Sequence, residues 1–377
     1  MNAVNMETQA DWNAIAHTLG ARFAERADAH DADGSFVHDN YRELAEHEAF
    51  SMAIPTQLGG GGASYAQFAD FIRVLGRHCG STALAYSMHA HLVAATVWKW
   101  NHDKPSEPLL RKVAGQQAVL LSTGATDWID SNGTMERVEG GYRLNARKVF
   151  GSGGPGADIM IASSRYEDPE NGPRVLHFPV SMKAEGVEIQ SDWNTIGMRA
   201  TGSNTVLLTD VFVPESAIAL DRPSGEWHPA WAVALGVAPG LYMAAYVGIA
   251  EAATEAALRA VAGRPSDALR ELAVGEMINH RTAAQLAWQS MVDNVDEYQF
   301  APTLEIADAQ LVRKTLCGRA VVAAVNAATE VAGGRSFYRS SLLERLRRDV
   351  LASSYHPLPE KRQQQFSGRV ALGLPPV

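Results

Sequence analysis

Apolar positions early in the chain recur at helical spacing. Trp12, Ile15, Ala16, Leu19 and Phe23 share one face of a helix predicted over about residues 9–29, and a second short helix is predicted over 38–50. The loop AIPTQLGGGGASY leads into two more helices, YAQFADFIRVLGRHC and STALAYSMHAHLVAATVWKW. Between Leu120 and Ser163 the pattern changes to strand. LLS begins a short apolar strand, a Gly/Ser/Thr/Asp loop follows, and a hairpin turns at Glu139-Gly140-Gly141. A long strand then ends in KVFGSGG, and ADIMIAS makes another. RVLHFPV, GVEIQ and NTVLLTDVFVP continue the strand signals; in the last, Val206, Leu208, Val211 and Val213 lie between Asn204 and Pro214. From Trp227 onward the period is helical again. Leu304, Ala307, Leu311, Leu316, Ala320, Val321, Ala324 and Val331 mark a long helix with a broad small-residue face, ended at Gly333-Gly334 as by a C-cap. The expected class is therefore α+β, mostly α. It has a helical domain over 1–115, a β-barrel-like or sandwich domain over 116–225, and a C-terminal four-helix bundle over 226–377.

One stretch tests this picture. His228 to Ala250 carries no Asp, Glu, Lys or Arg and is long enough to cross a bilayer. Pro239-Gly240 is expected to interrupt it, Glu226 and Glu251 flank it, and no Lys/Arg cluster marks one side. A helix buried on all sides in a bundle has the same composition, so no membrane span is expected. The formal charge of -9 over 377 residues argues against a nucleic-acid partner. The two cysteines, Cys79 and Cys317, are far apart and provide neither a disulfide framework nor a metal site. That usage, and an N-terminus without a basic region followed by an apolar core, predict a cytoplasmic protein without a signal peptide. Gly59 to Gly62 lack the Lys-Ser/Thr of a phosphate loop and are expected to form a flexible turn. His89 and His91 are two apart on a helix, so they point to different sides and only one is expected to face a cavity.

The order of helical block, β unit and helical bundle is similar to the acyl-CoA dehydrogenase superfamily over nearly the whole chain. The resemblance rests on the strand-loop beginning Ser122-Thr123, the strand end KVFGSGG, the stretch IGMRATGSNTVLLTDVFVP, and EVAGGRSF followed by LLERLRRDV. It implies a flavin, FAD, held between subunits of a homodimer or homotetramer. Ser122 and Thr123 are the family's contacts to the polar edge of the flavin, where hydrogen-bond donors stabilise the charge of the reduced ring. Phe150 stands where many relatives have a Trp packed on the flavin, and Ser152 where they have a Thr. Arg264 resembles the Arg that reaches a neighbouring subunit's FAD phosphates, and Gly333-Gly334-Arg335 the turn that approaches a pyrophosphate.

The base decides the reaction. Acyl-CoA dehydrogenases remove an α proton with a Glu while hydride passes to the flavin. Counted from Arg348-Asp349, the usual position falls on or near Pro357, and the family's other position, near Pro239 to Tyr242, also has no acid. Glu360 is the nearest carboxylate. Tyr355-His356-Pro357 stands there instead, which resembles the two-component flavin monooxygenases of the same fold; their histidines come from the first block and the C-terminal segment, here His89 or His91 with His356. The superfamily's commonest activity puts first an FAD-dependent oxidation of an acyl thioester at Cα–Cβ, served by an electron-transfer flavoprotein. The residues themselves favour the alternative, a monooxygenase using reduced flavin, FMN or FAD, delivered by a flavin reductase to act on a small molecule. A relative that has lost catalysis and serves in binding or assembly is the third reading.

Overall fold

The computed structural model describes residues 10–122 and 129–376. Helices α1 (Trp12–Asp33), α2 (His38–Glu46), α3 (Tyr65–His78), α4 (Gly80–Asn101) and α5 (Glu107–Gln116) form the first block. Their ends follow the sequence. The Asp11 carboxylate accepts the Ala14 N–H to start α1, Gly34 at φ +75° ends it, and Ser64 and Gln67 close a reciprocal capping box on α3. Trp12, Ala16, Leu19 and Phe23 are buried as their spacing predicts. The Gly59–Gly62 turn is packed rather than loose. A Cβ on Gly60 would overlap the Ile54 carbonyl, and one on Gly61 would stand 2.5 Å from the Trp12 ring, so glycine is required there by close approach.

Eight strands are described: β1 (Leu120–Ser122), β2 (Thr134–Val138), β3 (Gly141–Gly151), β4 (Ile159–Asp168), β5 (Gly172–Ser181), β6 (Val187–Ile189), β7 (Asn204–Pro214) and β8 (Leu220–Pro223). They form one sheet in the order β6-β7-β3-β2-β4-β5-β8, with β1 lying parallel beside β4. The β2–β3 hairpin turns at Glu139-Gly140, Val138 pairing with Gly141 and Gly140 at φ +77°. In β7 the buried alternation Val206, Leu208 resumes at Val211 rather than at Asp210. Asp210 sits at φ +54° beside a register shift, a bulge that moves the apolar set by one and keeps it facing the sheet's own core with Leu144, Met160 and Phe178.

The C-terminal block comprises α6 (Pro229–Val261), α7 (Ala268–Asp293), α8 (Leu304–Ala332), α9 (Leu342–Val350) and α10 (Glu360–Ala371). Contrary to the expected break at Pro239-Gly240, α6 is one continuous helix of 33 residues. Proline removes the hydrogen bond that the Leu235 carbonyl would accept, and neighbouring carbonyls are bound from other helices. Gln310 Nε2 donates to the Gly236 carbonyl (2.7 Å), the Tyr65 hydroxyl to that of Val237 (2.6 Å) and Trp288 Nε1 to that of Gly240 (2.8 Å). Among the described residues α6 alone is long and apolar enough to cross a membrane, and 89% of its apolar window is buried inside the protein. It packs against α3 and α4 on one side and α7 and α8 on the other, so the two helical blocks share one core.

Candidate active site

The candidate side chains fall into two groups. The first gathers at the ends of β1 and β3, which are neighbours because a Cβ on Gly151 would stand 3.8 Å from Leu121 Cδ2. Ser122 closes β1; Thr123 lies outside the described residues. Phe150 holds φ +58°, a region that bulky side chains rarely adopt, and leaves 53% of its surface exposed with its ring edge-on to Trp193 at 6.1 Å. Ser152 begins a hydroxyl relay: its Oγ is 2.7 Å from Ser203 Oγ, which is 2.6 Å from Thr201 Oγ1, which donates to the Met198 carbonyl at 2.9 Å. A carbonyl only accepts, so Thr201 donates outward, Ser203 donates to Thr201 and Ser152 donates to Ser203. Ser152 is left presenting an acceptor.

The second group is built on imidazoles. On α4, His89 is buried with both nitrogens engaged. Its Nδ1 accepts the Leu120 N–H at 2.9 Å and its Nε2 donates to the Phe50 carbonyl at 2.8 Å. It therefore pins the first residue of β1 and has no nitrogen left for chemistry; burial pushes its pKa down to about 4. His91 points elsewhere, as its spacing requires. Its Nδ1 meets the Ser87 carbonyl at 3.2 Å, so Nδ1 carries the proton and Nε2 is a bare acceptor. Burial lowers its pKa to about 4 as well.

His356 follows α9 and stacks on Tyr242 of α6, ring centroids 4.6 Å apart and planes at 16°. Its Nε2 is 2.7 Å from the hydroxyl of Tyr246, one helical turn further along α6. Burial holds Tyr246 far above the ordinary phenol range, so it stays protonated; His356 Nε2 is the one acceptor within reach of its O–H among the described residues, so the hydroxyl donates there and the His356 proton belongs on Nδ1. Burial, Lys314 and His91 together push the His356 pKa down to about 3. Lys314 on α8 is itself buried, donating to the His356 carbonyl (3.1 Å) and the Leu358 carbonyl (2.7 Å), which fixes the segment that carries the imidazole. Neutral His91 thus presents a bare Nε2 acceptor and neutral His356 an Nδ1–H donor.

The other candidates lie away from this pair. Glu360, at the start of α10, is held by Arg319 through contacts of 2.6 and 3.0 Å, which lower its pKa. Asp349, buried near Tyr246, accepts the Met198 N–H at 2.6 Å. Arg264 is exposed between α6 and α7. Gly333, Gly334 and Arg335 are exposed at the end of α8. A Cβ on either glycine would meet nothing within 4 Å, so within this chain only the φ of +71° at Gly333 calls for glycine. The sequence reading missed Tyr242, Tyr246 and Lys314. Their signal was faint: two tyrosines one turn apart in an apolar helix, and a lysine on a helix otherwise lined by small residues.

The family model described as "Acyl-CoA dehydrogenase, N-terminal domain" matches residues 7–117, and the one described as "Acyl-CoA dehydrogenase, C-terminal domain" matches 241–359. A probable FMNH2-dependent monooxygenase of Pseudomonas putida is 28% identical over 244 residues, 65% of this chain and 60% of that protein. A putative acyl-CoA dehydrogenase of Bacillus subtilis is 23% identical over 94% of both chains. The crystal structure of a nitrososynthase from Micromonospora carbonacea var. africana aligns with a TM-score of 0.89 at 22% identity over 96% of each chain, a likeness of fold. With both helical blocks matched and the sheet between them, the chain belongs to the acyl-CoA dehydrogenase family.

Proposed function

We propose that the protein is a two-component flavin monooxygenase, taking reduced flavin from a separate reductase and inserting one oxygen atom into a small molecule. The observation that carries this reading is His91 and His356, both protonated on Nδ1, the first leaving Nε2 as a bare acceptor and the second leaving Nδ1–H as a donor, where a dehydrogenase needs a carboxylate. It displaces the expectation of acyl-thioester oxidation with Glu360 as base, because Glu360 is tied to Arg319 and Asp349 to a backbone N–H. The similarity to a probable FMNH2-dependent monooxygenase supports the same choice.

The residues at the first group fit a flavin. The exposed Phe150 ring offers an apolar face, Ser122 the polar edge, and Ser152 an acceptor. An acceptor suits the ring N–H of a reduced flavin better than the bare nitrogen of an oxidised one. Reduced flavin supplies the two electrons that let one atom of O2 enter the substrate while the other leaves as water. His356 Nδ1–H then donates to oxygen, Tyr246 holds its ring, and His91 Nε2 takes the proton that the substrate gives up. By the family resemblance Arg264 would reach the flavin phosphates of a second copy of the chain, and Gly333-Gly334-Arg335 would approach a pyrophosphate. The exposed Leu269, Leu272, Phe337 and Tyr338 support a homodimer or homotetramer that covers them. Dependence on a reductase also supports a cytoplasmic location, and FMN is favoured over FAD by the monooxygenase relative.

The test compares flavin redox states. The full-length protein is expected to bind reduced FMN at least tenfold tighter than oxidised FMN, and with a flavin reductase to place 18O from O2 into product. His356→Ala and His91→Ala are each expected to lower oxygenation by roughly 10²–10⁴-fold with reduced-flavin binding retained. Anaerobic bleaching of bound FAD by an acyl-CoA would restore the dehydrogenase reading. Absence of flavin binding in both redox states would leave the non-catalytic one.

A further inference from the structure

Ser152 has two donors of its own, and both point back into the protein. Its N–H donates to the Phe150 carbonyl at 2.8 Å, closing a tight turn through Gly151. Its O–H goes to Ser203 Oγ at 2.7 Å, as the order of the hydroxyl relay requires. The next N–H, that of Gly153, donates to the Thr201 carbonyl at 2.8 Å. The loop over 201–203 thus draws in two of the three donors at this strand end, and the turn takes the third. Thr201 and Ser203 are 0% and 4% exposed, whereas Ser152 is partly exposed. What the strand end shows beside Phe150 is therefore a hydroxyl acceptor whose polarity is set from behind.

The inner end of the relay cannot turn. Thr201 Oγ1 and the Met198 carbonyl oxygen are 2.9 Å apart, a separation that two oxygens hold only with a proton between them, and the carbonyl has none to give. Met198 is itself fixed. Its N–H is bound by the Asp349 carboxylate at 2.6 Å, and its carbonyl also accepts the Trp193 Nε1–H at 3.1 Å and the Thr201 N–H at 3.2 Å. The carbonyl is therefore satisfied without the Thr201 hydroxyl, and what that proton does is orient the two hydroxyls that follow. Without it, Ser203 is free to turn its own proton toward Ser152, and the Ser152 proton then faces outward.

We propose that Thr201 and Ser203 are positioning residues that make this site selective for the reduced state of a flavin. They hold Ser152 as an acceptor, which a ring N–H of reduced flavin satisfies and a bare ring nitrogen of oxidised flavin opposes. The inference rests on the reading that a flavin binds beside Phe150 and Ser152. A hydroxyl that turned freely would serve both states alike; here the buried loop settles the choice before any ligand arrives. Tighter binding of the reduced state also raises the reduction potential of the bound flavin above that of the free one, by about 30 mV for each tenfold in a two-electron couple.

The ratio of reduced to oxidised FMN affinity, and the midpoint potential of FMN bound to the full-length protein, test this without turnover. Thr201→Val and Ser203→Ala are each expected to lower the wild-type ratio about tenfold and the potential by about 30 mV, while Thr201→Ser, which keeps the hydroxyl, retains both. A role in folding alone would weaken both redox states together. An unchanged ratio in Thr201→Val and Ser203→Ala therefore overturns the inference, and the monooxygenase reading stands if wild type still places 18O in product. Equal affinity of wild type for the two states overturns it as well. If wild type binds neither state, the inference falls together with the monooxygenase reading. Should Thr201→Val fail to fold, Ser203→Ala, which removes the hydroxyl that takes the Ser152 proton, decides by the same two measurements.

Discussion

His89 and His91 sit two residues apart on one helix, yet one is structural and the other available for chemistry. The difference lies in what surrounds each imidazole: His89 meets a backbone donor and a backbone acceptor, whereas His91 meets one carbonyl and keeps Nε2 bare. Because burial holds His91 at about 4, its acceptor should persist into mild acid. Single-turnover oxygenation is expected to stay flat from pH 8 to about 5.5 and to fall as His91 protonates; an ordinary imidazole would already lose half its activity near pH 6.5. Stability follows the same groups with a definite sign. His89, His91, His177 and His356 have folded pKa values of about 4, 4, 3 and 3, below the unfolded value, so the unfolded chain binds more protons through the range between. Their contribution is complete above about pH 6.5 and is lost as pH falls toward 4. The urea midpoint should drop between pH 7 and 5, and His89→Phe should lessen that slope while lowering stability at pH 7 by leaving the Leu120 N–H unpaired. The different directions of the two histidines were legible from spacing alone, and the family resemblance pointed to His356 as their candidate partner. Which of the two keeps a nitrogen free was not legible, because it depends on backbone groups of Phe50 and Leu120 far away in sequence, nor was the tyrosine of α6 that meets His356.

Elements were legible wherever local pattern and tertiary packing agree. α6 is the informative exception. Pro239-Gly240 reads locally as a break, since it removes one backbone donor and weakens the helix, but the bundle supplies Tyr65, Trp288 and Gln310 from three other helices to the carbonyls around it. No window of sequence around residue 239 contains that information. If those donors carry the helix through, removing one should cost more than an ordinary surface hydrogen bond. Tyr65→Phe, which removes the buried bond from another helix to the Val237 carbonyl, is expected to lower unfolding free energy by about 0.5–1.5 kcal/mol in a urea titration, and Gln310→Leu by a similar amount. An unchanged midpoint in both would mean that the helix needs no such support. The glycine turn at 59–62 follows the same logic: its composition suggests freedom, and its neighbours Ile54 and Trp12 remove it.

At the scale of the whole molecule, the sheet must be held against both helical blocks for the three parts to assemble. The turn at Gly197-Met198, between β6 and β7, carries this load. A Cβ on Gly197 would overlap the Arg348 carbonyl of α9, and the Met198 N–H is accepted by the buried Asp349 carboxylate at 2.6 Å. Beside it, Arg348 forks onto Asp31 with contacts of 2.6 and 2.9 Å, and Arg345 binds Asp28, so α9 also grips α1. All three blocks meet around one carboxylate, and assembly accounts for the Arg-Asp of the family motif. Burial raises the Asp349 pKa to about 6, above its unfolded value. Its contribution to stability is therefore complete below about pH 4 and is lost as pH rises through 6, opposite in sign to that of the histidines. Asp349→Asn keeps an acceptor for Met198 and removes the buried charge, so the variant should gain on wild type between pH 5 and 8. Asp349→Ala leaves the N–H unpaired and is expected to cost about 1–3 kcal/mol across that range. If the two variants were equally destabilised at pH 7.5, the carboxylate's charge rather than its acceptor would be holding the blocks together, and the Arg348 and Arg345 pairs would have to be counted with it as one ionic network.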